Sequence, residues 1–130
     1  MVEMAQTFNR DRIAKGLIAV QQASSDQIPY PDKSFDRIYA VHTLYFWHDP
    51  LAHLREIHGV CAVGGRFLLA FGPKEDVRAV AAFPESVYRF YSVDETRELL
   101  SNAGFHNFDD VSRTNRQPAN RFCPRGSMME

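Results

Sequence analysis

The sequence predicts an α/β fold with a mainly parallel sheet flanked by helices, on three observations. Short apolar runs alternate along the chain with segments that have the apolar spacing of helices. The runs are rich in β-branched and aromatic residues, which favour buried strands. With 130 residues, 45% of them apolar and 24% charged, the chain has the size and composition of one globular domain.

The sequence of residues 1–34 predicts a helix, a strand and a loop in that order. Four apolar residues recur at helical spacing: Met1, Met4, Ala5 and Phe8. We therefore expect a helix over residues 1–15 that stops at Gly16. Residues 17–20 form a short apolar run that predicts a buried first strand. Residues 24–34 contain two prolines, two aspartates and three serines, which predicts a loop.

The middle of the chain predicts a strand–helix–strand unit. Residues 35–41 are rich in β-branched and aromatic residues and predict the second strand. Asp49 and Pro50 are typical of an N-cap and a first helical position. An apolar stripe follows them: Leu51, Leu54, Ile57 and Cys61. We expect this helix to end at the glycine pair 64–65 and the third strand to occupy residues 66–71.

The C-terminal part predicts one well-marked helix between less regular segments. Residues 74–91 predict a short helix followed by an aromatic cluster. The spacing of Ser92 and Glu95 predicts a capping box for a helix that runs to Ala103, with Gly104 as its C-cap. A last strand is expected over 105–111. We therefore expect a domain over residues 1–111, followed by an irregular or disordered tail over 112–130.

Several classes of function are excluded by composition and motifs. The net charge is −1, and residues 1–110 carry 11 lysines and arginines against 15 aspartates and glutamates, so the body does not match nucleic acid. No apolar run is long enough for a membrane helix, and the first residues lack the pattern of a signal peptide. The two cysteines form no CxxC pair, which favours a reduced, cytoplasmic protein. The histidines share no metal-ligand spacing, so no metal site is expected.

Four segments, in order, carry a resemblance to a known family. Residues 28–36 read Ile-Pro-Tyr-Pro-Asp-Lys-Ser-Phe-Asp, and residues 45–50 read Tyr-Phe-Trp-His-Asp-Pro. Residues 59–67 place two glycines before a strand, and residues 103–105 read Ala-Gly-Phe. This order resembles the class I S-adenosylmethionine-dependent methyltransferases, in the small-molecule branch that includes ubiquinone-biosynthesis-type enzymes. The resemblance covers residues 1 to about 111 and implies a partial Rossmann-like methyltransferase sheet.

The resemblance implies where the cofactor and the substrate would bind. S-adenosylmethionine would contact two groups of residues: Ser24, Ser25 and Asp26 at its adenine ring, and Ala40, Val41 and His42 at its methionine part. The substrate would contact Tyr45, Tyr88 and Tyr91. From the residues alone, 24–26 are equally consistent with an ordinary Asx or Ser turn. The resemblance also implies that Phe46 and Trp47 would line the methyl-transfer site. From the residues alone, they are equally consistent with packing under the next helix.

Two functions from different classes follow. The first is an S-adenosylmethionine-dependent methyltransferase with a small-molecule substrate, in which no catalytic residue is assigned and His42 and His48 are candidate bases. The second is a non-catalytic, truncated methyltransferase-like module that self-associates. By resemblance, the family's glycine loop and ribose-binding acid would precede Met1, so we expect weak or absent cofactor binding. The exposed strand edge that would result favours a homodimer with residues 1–41 at its interface.

Overall fold

The computed structural model describes residues 1–74, 81 and 88–111. Six regular elements follow one another in that part of the chain: α1 (Val2–Phe8), α2 (Arg10–Ala14), β1 (Phe35–Val41), α3 (Pro50–Val60), β2 (Cys61–Ala70) and α4 (Val93–Ala103). A single 3₁₀ turn, Leu44–Phe46, lies between β1 and α3.

Strands β1 and β2 pair in parallel and are connected through helix α3. Phe35 lies opposite Cys61, and Val41 lies opposite Ala70. A parallel pair needs a crossover connection, and the helix predicted after Asp49 and Pro50 supplies it. The unit confirms the predicted α/β class with a parallel sheet and flanking helices.

The hydrophobic core lies between α3, α4 and one face of the sheet. Its buried members are Leu44, Trp47, Leu54, Ile57, Phe67, Leu69, Leu100, Ala103 and Phe105. The rings of Phe67 and Phe105 stack with their centroids 5.2 Å apart. Burying each such side chain contributes about 1.5–3 kcal/mol, so this core anchors both strands and the loops that follow them.

The boundaries of helices α3 and α4 follow the predicted caps. The Asp49 carboxylate accepts a hydrogen bond from Ala52 N at 3.2 Å, and Pro50 takes the first position of α3. At α4, Ser92 Oγ accepts from Glu95 N at 3.0 Å, and Glu95 Oε1 accepts from Ser92 N at 3.5 Å. Gly104 closes α4 with a φ of 109°, which confirms the predicted capping box and C-cap.

The prediction of a strand at residues 17–20 is wrong. These residues form no strand in the structure, and the Leu17 side chain is 72% exposed. A strand is stabilised by its ladder partner, and among the described residues none lies beside this run. Residues 105–111 form no strand either: Phe105 packs into the core instead, and Asn107 takes a left-handed φ of 60° that ends any extended run.

Two predicted helix boundaries also differ. The N-terminal helix is interrupted at Asn9, whose side-chain amide donates to Ala5 O at 2.9 Å and so competes with the backbone. Helix α3 ends at Val60 rather than at residues 64–65, because β2 already begins at Cys61 opposite Phe35. The glycine pair lies in an irregularity of the ladder, where Gly64 has a φ of 76°.

Some predictions lie outside the described residues or stay open. The predicted irregular tail over 112–130 lies outside them, as does most of the short helix expected after residue 74. The predicted domain extent, 1–111, stays a prediction. No helix among the described residues is long and apolar enough to cross a membrane.

Candidate functional site

The carboxyl ends of β1 and β2 lie side by side, which is the edge where parallel sheets bind ligands. The ladder extends one residue past β1, because His42 N donates to Ala70 O at 2.9 Å. The three residues predicted to contact the methionine part of the cofactor differ in burial. Ala40 packs against the core, whereas Val41 and His42 are exposed. His42 has a left-handed φ of 54°, a conformation that non-glycine residues seldom adopt.

The Tyr45 hydroxyl connects the ends of the two strands. Its oxygen accepts a hydrogen bond from Gly72 N, just after β2, and lies 3.0 Å from His42 Nδ1, just after β1. The rings of His42 and Tyr45 also stack, with centroids 5.9 Å apart. Because the Tyr45 ring is buried, this contact fixes the imidazole of an otherwise exposed histidine.

Three aromatic rings pack around the Tyr45 ring, and the four are called here the aromatic cluster: Tyr45, Phe46, Tyr88 and Phe90. The Tyr45 and Tyr88 centroids lie 5.9 Å apart, and those of Phe46 and Tyr88 lie 4.9 Å apart. A backbone hydrogen bond from Arg89 N to Tyr45 O, at 3.0 Å, holds the two segments together. The cluster provides an apolar wall beside the strand ends.

Of the three tyrosines predicted to contact the substrate, the structure brings two together. Tyr45 and Tyr88 share the aromatic cluster. Tyr91 packs against the hydrophobic core, and its carbonyl accepts from Lys74 N at 2.9 Å. His48, the other candidate base, contributes its carbonyl oxygen to Arg89 at 3.3 Å. Of the two histidines, His42 is the one whose imidazole contacts Tyr45.

Residues 24–27 form a tight turn, called here the acidic turn. Gln27 N donates to Ser24 O at 3.1 Å, and the Ser24 hydroxyl donates to the Asp26 carboxylate. That hydrogen bond lowers the pKa of Asp26, and the nearby His53 adds to the effect. Asp26 is exposed, so the turn presents a negatively charged carboxylate to solvent.

Helix α3 holds the acidic turn and the residue that follows it through two side chains that the sequence did not identify. His53 Nδ1 lies 2.7 Å from Ser25 Oγ, and Glu56 Oε1 accepts from Ile28 N at 3.0 Å. The two side chains lie three residues apart and therefore on one helix face. Their spacing is visible in the sequence, but nothing there indicates partners 28 residues earlier.

Other reactive groups in the described part of the chain do not form a second site. No group of three histidine, cysteine, aspartate or glutamate residues there could hold a metal ion. Cys61 is a free, buried thiol, and burial raises its pKa. The His58 ring packs edge-on against Phe105 with centroids 5.0 Å apart.

Comparison with known proteins identifies the family. Residues 1–69 match the family described as "Methyltransferase domain", and the chain belongs to it. The O-methyltransferase resE of Aspergillus sclerotiorum is 28% identical over 138 aligned positions, which cover 98% of this chain and 51% of that protein. The 27-O-demethylrifamycin SV methyltransferase of Amycolatopsis mediterranei is 30% identical, over 76% of this chain and 40% of that protein.

Solved structures confirm the predicted Rossmann-like methyltransferase fold. One, described as a SAM-dependent methyltransferase and possible histamine N-methyltransferase from Thermotoga maritima, has a TM-score of 0.65 and 27% identity. The superposition covers 75% of this chain and 51% of that protein's chain. The YcgJ protein of Bacillus subtilis has a TM-score of 0.61 and 29% identity, over 79% of this chain and 47% of its own. The chain thus spans about half the length of the relatives it matches.

Proposed function

We propose that this chain forms part of an S-adenosylmethionine-dependent methyltransferase that acts on a small molecule. The observation that carries the proposal is the site at the strand ends, where His42, the Tyr45 hydroxyl and the aromatic cluster meet. This site lies at the ligand-binding edge of a parallel sheet in a chain of the methyltransferase family. The relatives named above are methyltransferases, one of them named for 27-O-demethylrifamycin SV.

The described residues fit two ends of S-adenosylmethionine. The Tyr45 ring stacks beside His42 and contacts the Tyr88 ring, and such aromatic rings stabilise a cation such as the sulfonium. The acidic turn offers backbone N–H groups and the Asp26 carboxylate, which suit the polar edge of adenine. When bound, the cofactor supplies an electrophilic methyl group. The residues that would hold it are Ser24, Ser25 and Asp26 at one end and Ala40, Val41 and His42 at the other.

The chain's own contribution to methyl transfer is positioning, exclusion of water and removal of a proton. The aromatic cluster provides an apolar wall that orients the acceptor and excludes water. His42 is the base of the proposal: with Nδ1–H donating to the Tyr45 oxygen, Nε2 is free to take a proton from the acceptor. Tyr45 is a positioning residue, because it holds the imidazole in this orientation. Tyr88 contacts the substrate in the cluster, and Tyr91 supports it from the core.

Paired aspartate variants test the adenine end. Asp26 lies in the acidic turn, whereas Asp32 lies beside Pro31 in the following loop. We expect Asp26→Ala to weaken binding of S-adenosylhomocysteine, the demethylated cofactor, more than Asp32→Ala does in isothermal titration calorimetry. Equal affinities would remove Asp26 from the site. We expect the wild-type chain itself to bind weakly, because it spans about half the length of relatives it matches and each hydrogen bond to a ligand contributes about 0.5–1.5 kcal/mol.

The second candidate function is a self-associating, non-catalytic module, and one observation favours it. The outer face of β1 carries Tyr39 and Val41, which are 77% and 49% exposed, and β1 pairs on one side only within the described part. An open, apolar strand edge is a template for pairing with another chain. We propose a homodimer with residues 1–41 at its interface. Light scattering should report two chains, and the mass of one chain at high concentration would contradict the dimer.

The cellular setting stays a prediction. The cysteine content favours the cytoplasm, and the free Cys61 thiol is compatible with a reducing compartment. Fractionation of the native host would test this location.

A further inference from the structure

The His53 side chain connects the hydrophobic core to the acidic turn. On one side its ring stacks on Trp47, with centroids 4.8 Å apart and ring planes within 5°. On the other side His53 Nδ1 lies 2.7 Å from Ser25 Oγ. Trp47 is buried and belongs to the core. Ser25 is the partly buried residue of a turn whose other members are exposed.

We propose that His53 is a positioning residue that fixes the acidic turn in the conformation that binds the cofactor. The inference rests on the proposed function and adds a residue to the same site. Fixing a residue of a free segment costs conformational entropy. A turn that is already ordered before the ligand arrives avoids part of that cost at the moment of binding.

The geometry explains why the imidazole is suited to this role. Its flat face packs on the indole, so the buried Trp47 sets the orientation of the ring. Its edge then presents Nδ1 to the Ser25 hydroxyl, which can donate or accept. Glu56, one turn along α3, reinforces the contact by accepting from Ile28 N. His53 helps to lower the pKa of the Asp26 carboxylate, and Glu56 lies three residues further along α3 on the same helix face.

The first test reads the stack directly and needs no ligand. Trp47 is the only tryptophan among the 130 residues, so its fluorescence reports one site. A protonated imidazole in contact with indole quenches its emission. We expect the emission of the full chain to fall as histidine becomes protonated, and His53→Ala to abolish that change. His106→Ala, at an exposed position after α4, is the matched control and should leave it intact. Emission that does not change with pH in the wild type would overturn the proposed contact.

The second test measures the order of the turn by amide hydrogen exchange. We expect His53→Ala to raise the exchange rate of residues 24–28 while the amides of α4 keep their protection. His53→Asn keeps a hydrogen-bonding atom near the position of Nδ1 and should restore much of the protection. Unchanged exchange at residues 24–28 in a folded His53→Ala chain would overturn the positioning role.

The third test measures affinity for S-adenosylhomocysteine by calorimetry. We expect His53→Ala to weaken binding about tenfold, which corresponds to about 1.4 kcal/mol, with His53→Asn intermediate and His106→Ala unchanged. Equal affinity of wild type and His53→Ala would overturn the inference. If the wild type does not bind at all, the proposal that these residues of this chain hold the cofactor fails, whereas a rise in exchange at 24–28 would still support the positioning role.

Discussion

The described chain has two parts that differ in how they are stabilised, called here the first half (residues 1–34) and the second half (residues 35–111). Every buried apolar side chain among the described residues lies between Leu44 and Phe105, and helices α1 and α2 bury none. Met4 and Phe8 of α1 are 76% and 87% exposed, although their spacing is that of an amphipathic helix. The second half therefore folds around its own core, whereas the first half has apolar surface without a matching surface in the described residues.

The difference bears on the site, because the site uses both halves. His42, Tyr45 and the aromatic cluster stand on strand ends that the core holds in place. The acidic turn belongs to the first half and is fastened to the second through His53 and Glu56. We infer that the sulfonium end of the proposed site is rigid and that the adenine end depends on two side-chain contacts.

The largest expected effect is that of truncating a core phenylalanine. Phe67→Ala removes a fully buried ring and should lower the free energy of unfolding by about 3–5 kcal/mol. Phe8→Ala is the matched control, and it should change the free energy by less than about 0.5 kcal/mol, because its ring is exposed. Urea unfolding followed by circular dichroism measures both. Similar losses in the two variants would show that α1 packs as tightly as β2.

A smaller effect is expected at two glycines with left-handed backbone. Gly104→Ala places a Cβ 2.9 Å from the His58 ring and holds alanine at a φ of 109°, so we expect a loss of about 1–2 kcal/mol from the backbone and more from the displaced ring. Gly16, with a φ of 71°, has open space around it. Gly16→Ala should strain only the end of α2 and leave the midpoint of urea unfolding nearly unchanged. A larger loss of unfolding free energy for Gly16→Ala than for Gly104→Ala would contradict the view that the second half contains the stabilising core.

The smallest effect concerns the cap of α4. Ser92→Ala removes one member of the capping box and should cost about 1 kcal/mol. Ser101→Ala, on the exposed face of the same helix, lacks a capping role and should be neutral or slightly stabilising. Thermal unfolding followed at the far-ultraviolet helix band compares the two. Equal melting temperatures would mean that the capping box does not contribute to stability in solution.

The sequence predicted the elements whose signals are local. The strand 35–41 has its predicted bounds, and α3 and α4 start where Asp49 and Ser92 indicated. A cap is formed between residues three apart, so the sequence contains the whole interaction. The alternation of these elements sufficed for the fold class, and the four short motifs quoted above carried the resemblance to the family.

The sequence could not predict features that depend on distant partners. Residues 17–20 are apolar enough for a strand, but a strand needs a neighbour, and apolarity does not reveal whether one is present. The end of α3 was misplaced because pairing of Cys61 with Phe35 outweighs the helix signal. His53 was missed for the same reason, since its partner Ser25 lies far away in sequence.

The central claim is that the cofactor binds across the acidic turn and the ends of β1 and β2. A titration of the isotopically labelled chain with S-adenosylhomocysteine, followed by two-dimensional amide NMR, tests it most directly because weak binding still shifts resonances. We predict concerted shifts at the amides of Ser25, Asp26, His42 and Tyr45, with those of α4 unaffected. Shifts that are absent at the highest ligand concentration, or that are confined to α1 and α2, would contradict the account.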